Sequence, residues 1–223
     1  VETACRQHGY SLVVCNTNRD DEQERHHLVA LQSYNVEGLI VNTLGHHPGE
    51  LLNLQRDIPM VLVDRQLPEL NVDLVGLDNA DAVEQALDHL QAQGYRDILA
   101  VSEPLDGTSS RLERVQAFGA SISRRPGMRQ QVLEISAGLQ GQLASFLAHS
   151  GHGPQAIFTF NGVATLAVTR ALLEAGRNLV ADVGLIALDD LDWYPLVGKG
   201  ITALAQPTER IGVAAFESLL GRL

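Results

Sequence analysis

Residues 75–104 read VGLDNADAVEQALDHLQAQGYRDILAVSEP. A short apolar run ends at Asp78, and Val83, Ala86, Leu87 and Leu90 then fall at i, i+3, i+4 and i+7. That spacing predicts an amphipathic helix, and Gly94 stands where such a helix stops. DILAVS at 97–102 follows, apolar at consecutive positions, as expected for a parallel strand covered on both faces. A strand, a helix and a second strand in this order form a right-handed βαβ unit.

The same alternation extends outward in both directions. Further strand-like runs are YSLVVCN (10–16), EGLIVNT (37–43), PMVLVD (59–64), DLVGLD (73–78), QVLEIS (131–136), AIFTFN (156–161), VGLIALDD (183–190) and ITALAQ (201–206). Ala164, Val168, Ala171, Leu172 and Ala175 repeat the helical pattern, and Gly176 follows them. The fold class read from this is α/β with doubly wound parallel sheets. Nine strands and about eight helices exceed one sheet of ordinary size, so two α/β halves joined by brief crossovers are expected.

Composition narrows the function. Apolar residues make up 45% of the 223 and charged residues 19%, which excludes a disordered chain. No apolar run reaches the roughly 18–20 residues of a membrane span, and no signal peptide opens the chain. Sixteen Lys and Arg against 27 Asp and Glu give a net charge of −11, a surface that repels phosphate backbones. Cys5 and Cys15 are expected to be reduced thiols in a cytoplasmic protein. The pairs His26–His27 and His46–His47 are adjacent residues that point in different directions, so no metal site is expected, and no cofactor motif is present.

In open α/β sheets, ligands bind beyond the carboxyl ends of the strands. Asp64, Asn161 and Asp189, with its neighbour Asp190, close three of the runs. Each of these residue types also caps a following helix about as often as it meets a ligand. Together they offer the acceptors and amides that a hydroxyl-rich ligand needs. A local charge of +3 between Pro104 and Arg129 stands out in the acidic chain. Within it, Arg111 and Arg114 lie three apart at the start of a helix and suit a ligand carboxylate. The alternative is that Arg111 pairs with Glu113 or solvent and that Arg114 alone matters. Trp193, the sole tryptophan, follows the acidic pair in a loop and either closes over the apolar face of a ligand or packs between the domains. No nucleophile–base pair can be named, and an enzyme is not expected.

These residues resemble the effector-binding core of the lactose-repressor (LacI) family of transcription regulators, which has the type I periplasmic-binding-protein fold. The resemblance covers residues 9–41, PMVLVDR (59–65), 75–104, the RxxxF stretch 114–118, FNGVATLAVTRALLEAG (160–176), VADVGLIALDD (180–190) and ITALAQPTERIG (201–212). By position it carries the family's ligand contacts onto Asp64, Arg114, Asn161 and Asp189. Gly162 departs from the family's common Asp, removing a helix-capping carboxylate, and Ala117 departs from its usual Gly. DDLDW (189–193) resembles the subgroup that recognises gluconate or related keto-sugar acids.

The resemblance implies two subdomains around a ligand cleft, residues 1–77 plus 206–223 and residues 78–205. The first would be truncated at both ends, since the chain starts inside the family's first core helix and stops short of its final strand. It further implies a sensor for a sugar or sugar acid whose binding alters operator affinity through a helix-turn-helix absent from this chain, in a cytoplasmic homodimeric repressor. The binding residues expected are Asp64, Arg111, Arg114, Asn161, Asp189 and Trp193. The alternative is a periplasmic sugar-binding protein of a transport system, which would share the fold.

Overall fold

The computed structural model describes residues 1–149, 153–177 and 183–223. The first three residues of the 180–190 stretch lie outside them. The chain divides into two compact units, one of Val1–Leu77, Thr108–Ser110 and Pro207–Leu223, the other of Asp78–Gly107 and Arg111–Gln206.

The smaller unit is built on a parallel sheet in the order β1 (Leu39–Val41), β2 (Met60–Val63), β3 (Asp73–Val75). Its helices are α1 (Glu2–Gln7), α2 (Asp21–Leu31), α3 (Pro48–Asp57) and α8 (Thr208–Leu220). Leu28, Leu51, Leu54, Met60 and Leu62 fill the core under α2 and α3, while Ala215 and Leu219 of α8 pack on Val61.

The run 10–16 is not a strand, contrary to the sequence reading. Val13 and Val14 are 61% and 76% exposed, and a groove of about 470 Å³, lined by Tyr10, Leu12, Val13, Leu39 and Val41 among others, separates the run from β1. A continuous apolar run signals a chain with two faces to bury, but a strand also needs a backbone partner within hydrogen-bond reach. Among the described residues no strand is laddered to the run.

The larger unit is a five-stranded, wholly parallel sheet in the order β5-β4-β6-β7-β8. Its strands are β4 (Asp97–Ser102), β5 (Arg129–Glu134), β6 (Gln155–Thr159), β7 (Gly184–Leu188) and β8 (Thr202–Leu204). Its helices are α4 (Asn79–Ala92), α5 (Ser109–Ser123, of which Ser109 and Ser110 are assigned to the smaller unit), α6 (Leu139–Ala148) and α7 (Gly162–Glu174).

In α4 the periodic residues Val83, Ala86, Leu87 and Leu90 are buried, the Asp78 side chain caps the helix by accepting from the Asp81 amide at 2.9 Å, and Gly94 takes φ +88° beyond its end. In α7 Ala164, Val168, Ala171 and Leu172 are buried, and Gly176 takes φ +66°. Phe118 of α5 meets Phe158 and Phe160 edge-on at centroid distances of 6.5 and 6.0 Å, locking α5 onto the end of β6. The chain runs from β4 outward to β5 and then returns to the other side of β4 as β6. The strand order therefore reverses between β4 and β6, and that is where a doubly wound sheet opens a crevice at its carboxyl edge.

Among the described residues no helix is long and apolar enough to cross a membrane. Cys5, on α1, is buried, Cys15 is partly exposed, and neither forms a disulfide.

Candidate functional site

The residues just beyond β4 and β6 flank this switch point. Glu103 follows β4 and Asn161 follows β6, and Asn161 Nδ2 donates to Glu103 Oε2 at 2.5 Å. Asn161 also caps α7, its Oδ1 accepting from the Ala164 amide at 2.8 Å. Capping and site geometry are thus served by opposite ends of one side-chain amide.

Arg111, on the first turn of α5, reaches the same carboxylate, its Nη2 3.2 Å from Glu103 Oε2, and Nη1 donates to the Pro104 carbonyl at 2.5 Å. Arg111 therefore pairs with Glu103 rather than Glu113, a residue two positions away in a helix and on another face. Glu113 instead accepts from Asn79 Nδ2 at 2.6 Å.

Arg114 is buried, 5% exposed. Its Nε donates to Asn79 Oδ1 at 2.7 Å and its Nη1 to the Phe160 carbonyl at 2.8 Å, so it ties α5 to the start of α4 and to the end of β6. The hydrogen bonds named here give Arg111 and Arg114 separate structural roles, one in the β4–α5 connection and one between α5, α4 and β6.

Asp189 follows β7 with φ +83°, in the left-handed region. Its Oδ2 accepts from the Gly162 amide at 2.9 Å and its Oδ1 from Gln206 Nε2 at 2.5 Å. The carboxylate that Gly162 lacks is thereby supplied to the start of α7 from the neighbouring strand. A Cβ at Gly162 would stand 2.5 Å from Leu191 Cδ1, so the small residue fits the space that Leu191 fills.

Trp193 is partly buried, packed on the core of this unit and edge-on to Tyr194 at 4.6 Å. Tyr194 is itself buried and donates to Thr165 Oγ1 at 3.0 Å, and burial pushes its phenol pKa up.

Asp64 belongs to the smaller unit, after β2, and also has a left-handed backbone, with φ +68°. Its Oδ2 accepts from Ser110 Oγ at 3.3 Å and lies 3.8 Å from Arg65 Nε. Two of the strand-end aspartates singled out in the sequence thus hold a conformation that is uncommon outside glycine, a form of strain that clusters at ligand sites.

Glu103 and Asn79 were not singled out in the sequence. Glu103 carried a usable signal, since it directly follows the DILAVS strand. Asn79 carried none beyond being the first residue of a helix. The histidine reading also needs correction. His46 Nδ1 and His47 Nε2, although adjacent in sequence, both turn to Asp21, at 2.8 Å from Oδ1 and 3.0 Å from its carbonyl oxygen. Among the described residues, no group of three or more His, Cys, Asp or Glu is placed to hold a metal ion.

The family model for periplasmic binding proteins and the sugar binding domain of the LacI family matches residues 1–221. The chain belongs to the LacI family. This LacI-family chain is 73% identical over 223 residues to the HTH-type transcriptional regulator PtxS of Pseudomonas aeruginosa, covering all of this chain and 66% of that protein. It is 35% identical to the HTH-type transcriptional regulator KdgR of Bacillus subtilis, covering 68% of that protein. Among solved structures it resembles a periplasmic binding protein/LacI transcriptional regulator from Alkaliphilus metalliredigens complexed with D-xylulofuranose. The identity is 26% and the TM-score 0.81, over 99% of this chain and 82% of that one. The LacI-family chain is the effector-binding domain of this regulator class and has its α/β, periplasmic-binding-protein-like fold.

Proposed function

We propose that this domain senses a six-carbon sugar acid, gluconate or a ketogluconate, for a DNA-binding repressor. The observation that carries this reading is the Arg111–Glu103–Asn161 cluster at the switch point of the larger unit. It offers a cation, a carboxylate and an amide within one side-chain length of each other, and a sugar acid presents a carboxylate with neighbouring hydroxyls to match. The ligand residues proposed are Asp64, Arg111, Arg114, Asn161 and Asp189. Trp193 is proposed as an apolar wall rather than a mobile cover, because its ring is packed on the core.

The ligand of the Alkaliphilus protein is a ketose, and the naming of PtxS and KdgR as HTH-type transcriptional regulators favours the repressor reading over a transport protein. Operator contacts would come from a helix-turn-helix outside these residues, in a homodimer. Effector and operator affinities would be reciprocally coupled by about 1–3 kcal/mol. Calorimetry against a panel of sugars, sugar acids and purines tests the proposal. Micromolar or tighter binding of gluconate or a ketogluconate is expected, and tight binding of a neutral hexose or a purine with silence toward sugar acids would refute it.

A further inference from the structure

Glu103 stands beside the switch point and spends one oxygen on two groups that a ligand would engage. Its Oε2 accepts from Asn161 Nδ2 at 2.5 Å and lies 3.2 Å from Arg111 Nη2. The Glu103 and Arg111 side chains are only 12% and 13% exposed, so the charges act on each other and on any neighbour with less screening than at an open surface. The Asp189 carboxylate lies at the end of β7, next to β6 in the sheet, and adds a second negative charge to the same edge. An anion approaching Arg111 meets a carboxylate already paired with it, whereas a hydroxyl meets an acceptor.

Building on the sugar-acid reading above, we infer that Glu103 is a specificity-determining residue that accepts ligand hydroxyls and penalises negative charge. The site then retains a polyhydroxylated ligand with a single carboxylate. It rejects anions that lack hydroxyls or carry a second charge, phosphorylated sugar acids among them.

The test is Glu103→Gln, which keeps an acceptor oxygen for Arg111 and Asn161 and removes the charge. D-gluconate, 6-phosphogluconate and the neutral D-glucitol are titrated calorimetrically into the chain and into the variant. One unit charge removed at about 5 Å, at a dielectric between those of protein surface and water, is worth about tenfold in affinity. The variant is expected to raise the gluconate-to-glucitol affinity ratio about tenfold and to raise the 6-phosphogluconate-to-gluconate ratio as well. A purely structural role would weaken all three ligands alike, so unchanged ratios, or ratios shifted toward glucitol, overturn the inference. The sugar-acid reading fails separately. If the unsubstituted chain takes glucitol and ignores gluconate, that reading falls, while a variant that gains affinity for the anions still upholds the role of Glu103. No binding of any of the three by either form overturns both.

Discussion

Arg114 ties elements of the larger unit together and is proposed as a ligand residue, and replacing it with Met measures both contributions. Met retains most of the apolar stem and removes the guanidinium. Two acceptors then lose charge-assisted donors: the Phe160 carbonyl at 2.8 Å, and Oδ1 of Asn79, itself 5% exposed, at 2.7 Å. Each buried acceptor left unsatisfied costs about 1–3 kcal/mol. Asn79 also donates to the exposed Glu113 and can turn toward solvent, so the low end applies to it, and the total is about 3 kcal/mol. With a urea slope of about 2 kcal/mol per molar, the unfolding midpoint falls by about 1.5 M. Trp193 is the sole tryptophan and lies in the same unit, so its fluorescence reports this transition directly.

Arg111→Met is the matched control. Arg111 holds a carboxylate and a carbonyl nearer the surface, so its loss should move the midpoint by less than half as much while still removing a site cation. Calorimetry with gluconate, under conditions where both variants are folded, is expected to show weakened binding in each. A midpoint for Arg114→Met within about 0.3 M of the unsubstituted chain would refute the structural argument. Undiminished gluconate affinity in the same variant would remove Arg114 from the site.

Substitutions at two further residues bear on the same unit. Glu84 on α4 is held at a pKa of about 2, chiefly by the hydrogen bond from Arg125 and then by that from Ser121. A carboxyl depressed by folding contributes stability that is complete above its ordinary value near 4.5 and is lost as pH falls toward 2. The full shift corresponds to about 3 kcal/mol, but the Glu84 side chain is 39% exposed, and solvent screening leaves about 1. Arg125→Met should therefore reduce the loss of urea midpoint between pH 6 and pH 3, and an identical pH dependence in both proteins would contradict this. Asn161→Ala should cost about 1 kcal/mol in a urea melt through loss of the α7 cap. Asn161→Asp keeps the cap but sets a second carboxylate against Glu103, so a variant as stable as the unsubstituted chain at pH 7 would speak against the Asn161–Glu103 contact.

Local physics made much of the fold legible. The spacing of Val83, Ala86, Leu87 and Leu90, and the glycines after α4 and α7, act within a few residues and were readable as such. YSLVVCN was misread because a strand is half a property of its neighbour, and no pattern within seven residues reports whether a partner strand lies beside it. The strand-end rule needs only the strand and the residues that follow it, and Asn161 and Asp189 do lie just beyond β6 and β7, where that rule expects them. The partner of Arg111 was sought within its own helix, whereas Glu103 lies back across the β4–α5 connection, and the Glu103–Asn161 contact exists only once β4 and β6 lie side by side. Arg114 looked like a free ligand grip for a similar reason. The carbonyl it satisfies lies 46 residues away, and backbone acceptors leave no trace in side-chain chemistry.

Asp189 tests whether capping and ligand binding compete for one side chain. Both of its oxygens accept from protein donors, the Gly162 amide and Gln206 Nε2, at a backbone φ of +83°. Asn tolerates that conformation but has one acceptor in place of two, so Asp189→Asn sets its NH2 group against one of the donors and should cost about 1–2 kcal/mol. Gly would relieve a left-handed strain of about 1 kcal/mol while giving up both bonds, each worth about 1 kcal/mol net. Asp189→Gly should therefore be no less stable than Asp189→Asn in a urea melt. If the order holds, Asp at this position gains little stability over Gly for the strain it carries, and the carboxylate is kept for the effector. Both variants should then lose gluconate affinity. If Asp189→Gly is instead the weaker by several kcal/mol and binding survives in Asp189→Asn, the residue serves α7 and Gln206 alone, and the site contracts to Arg111, Glu103 and Asn161 around the switch point.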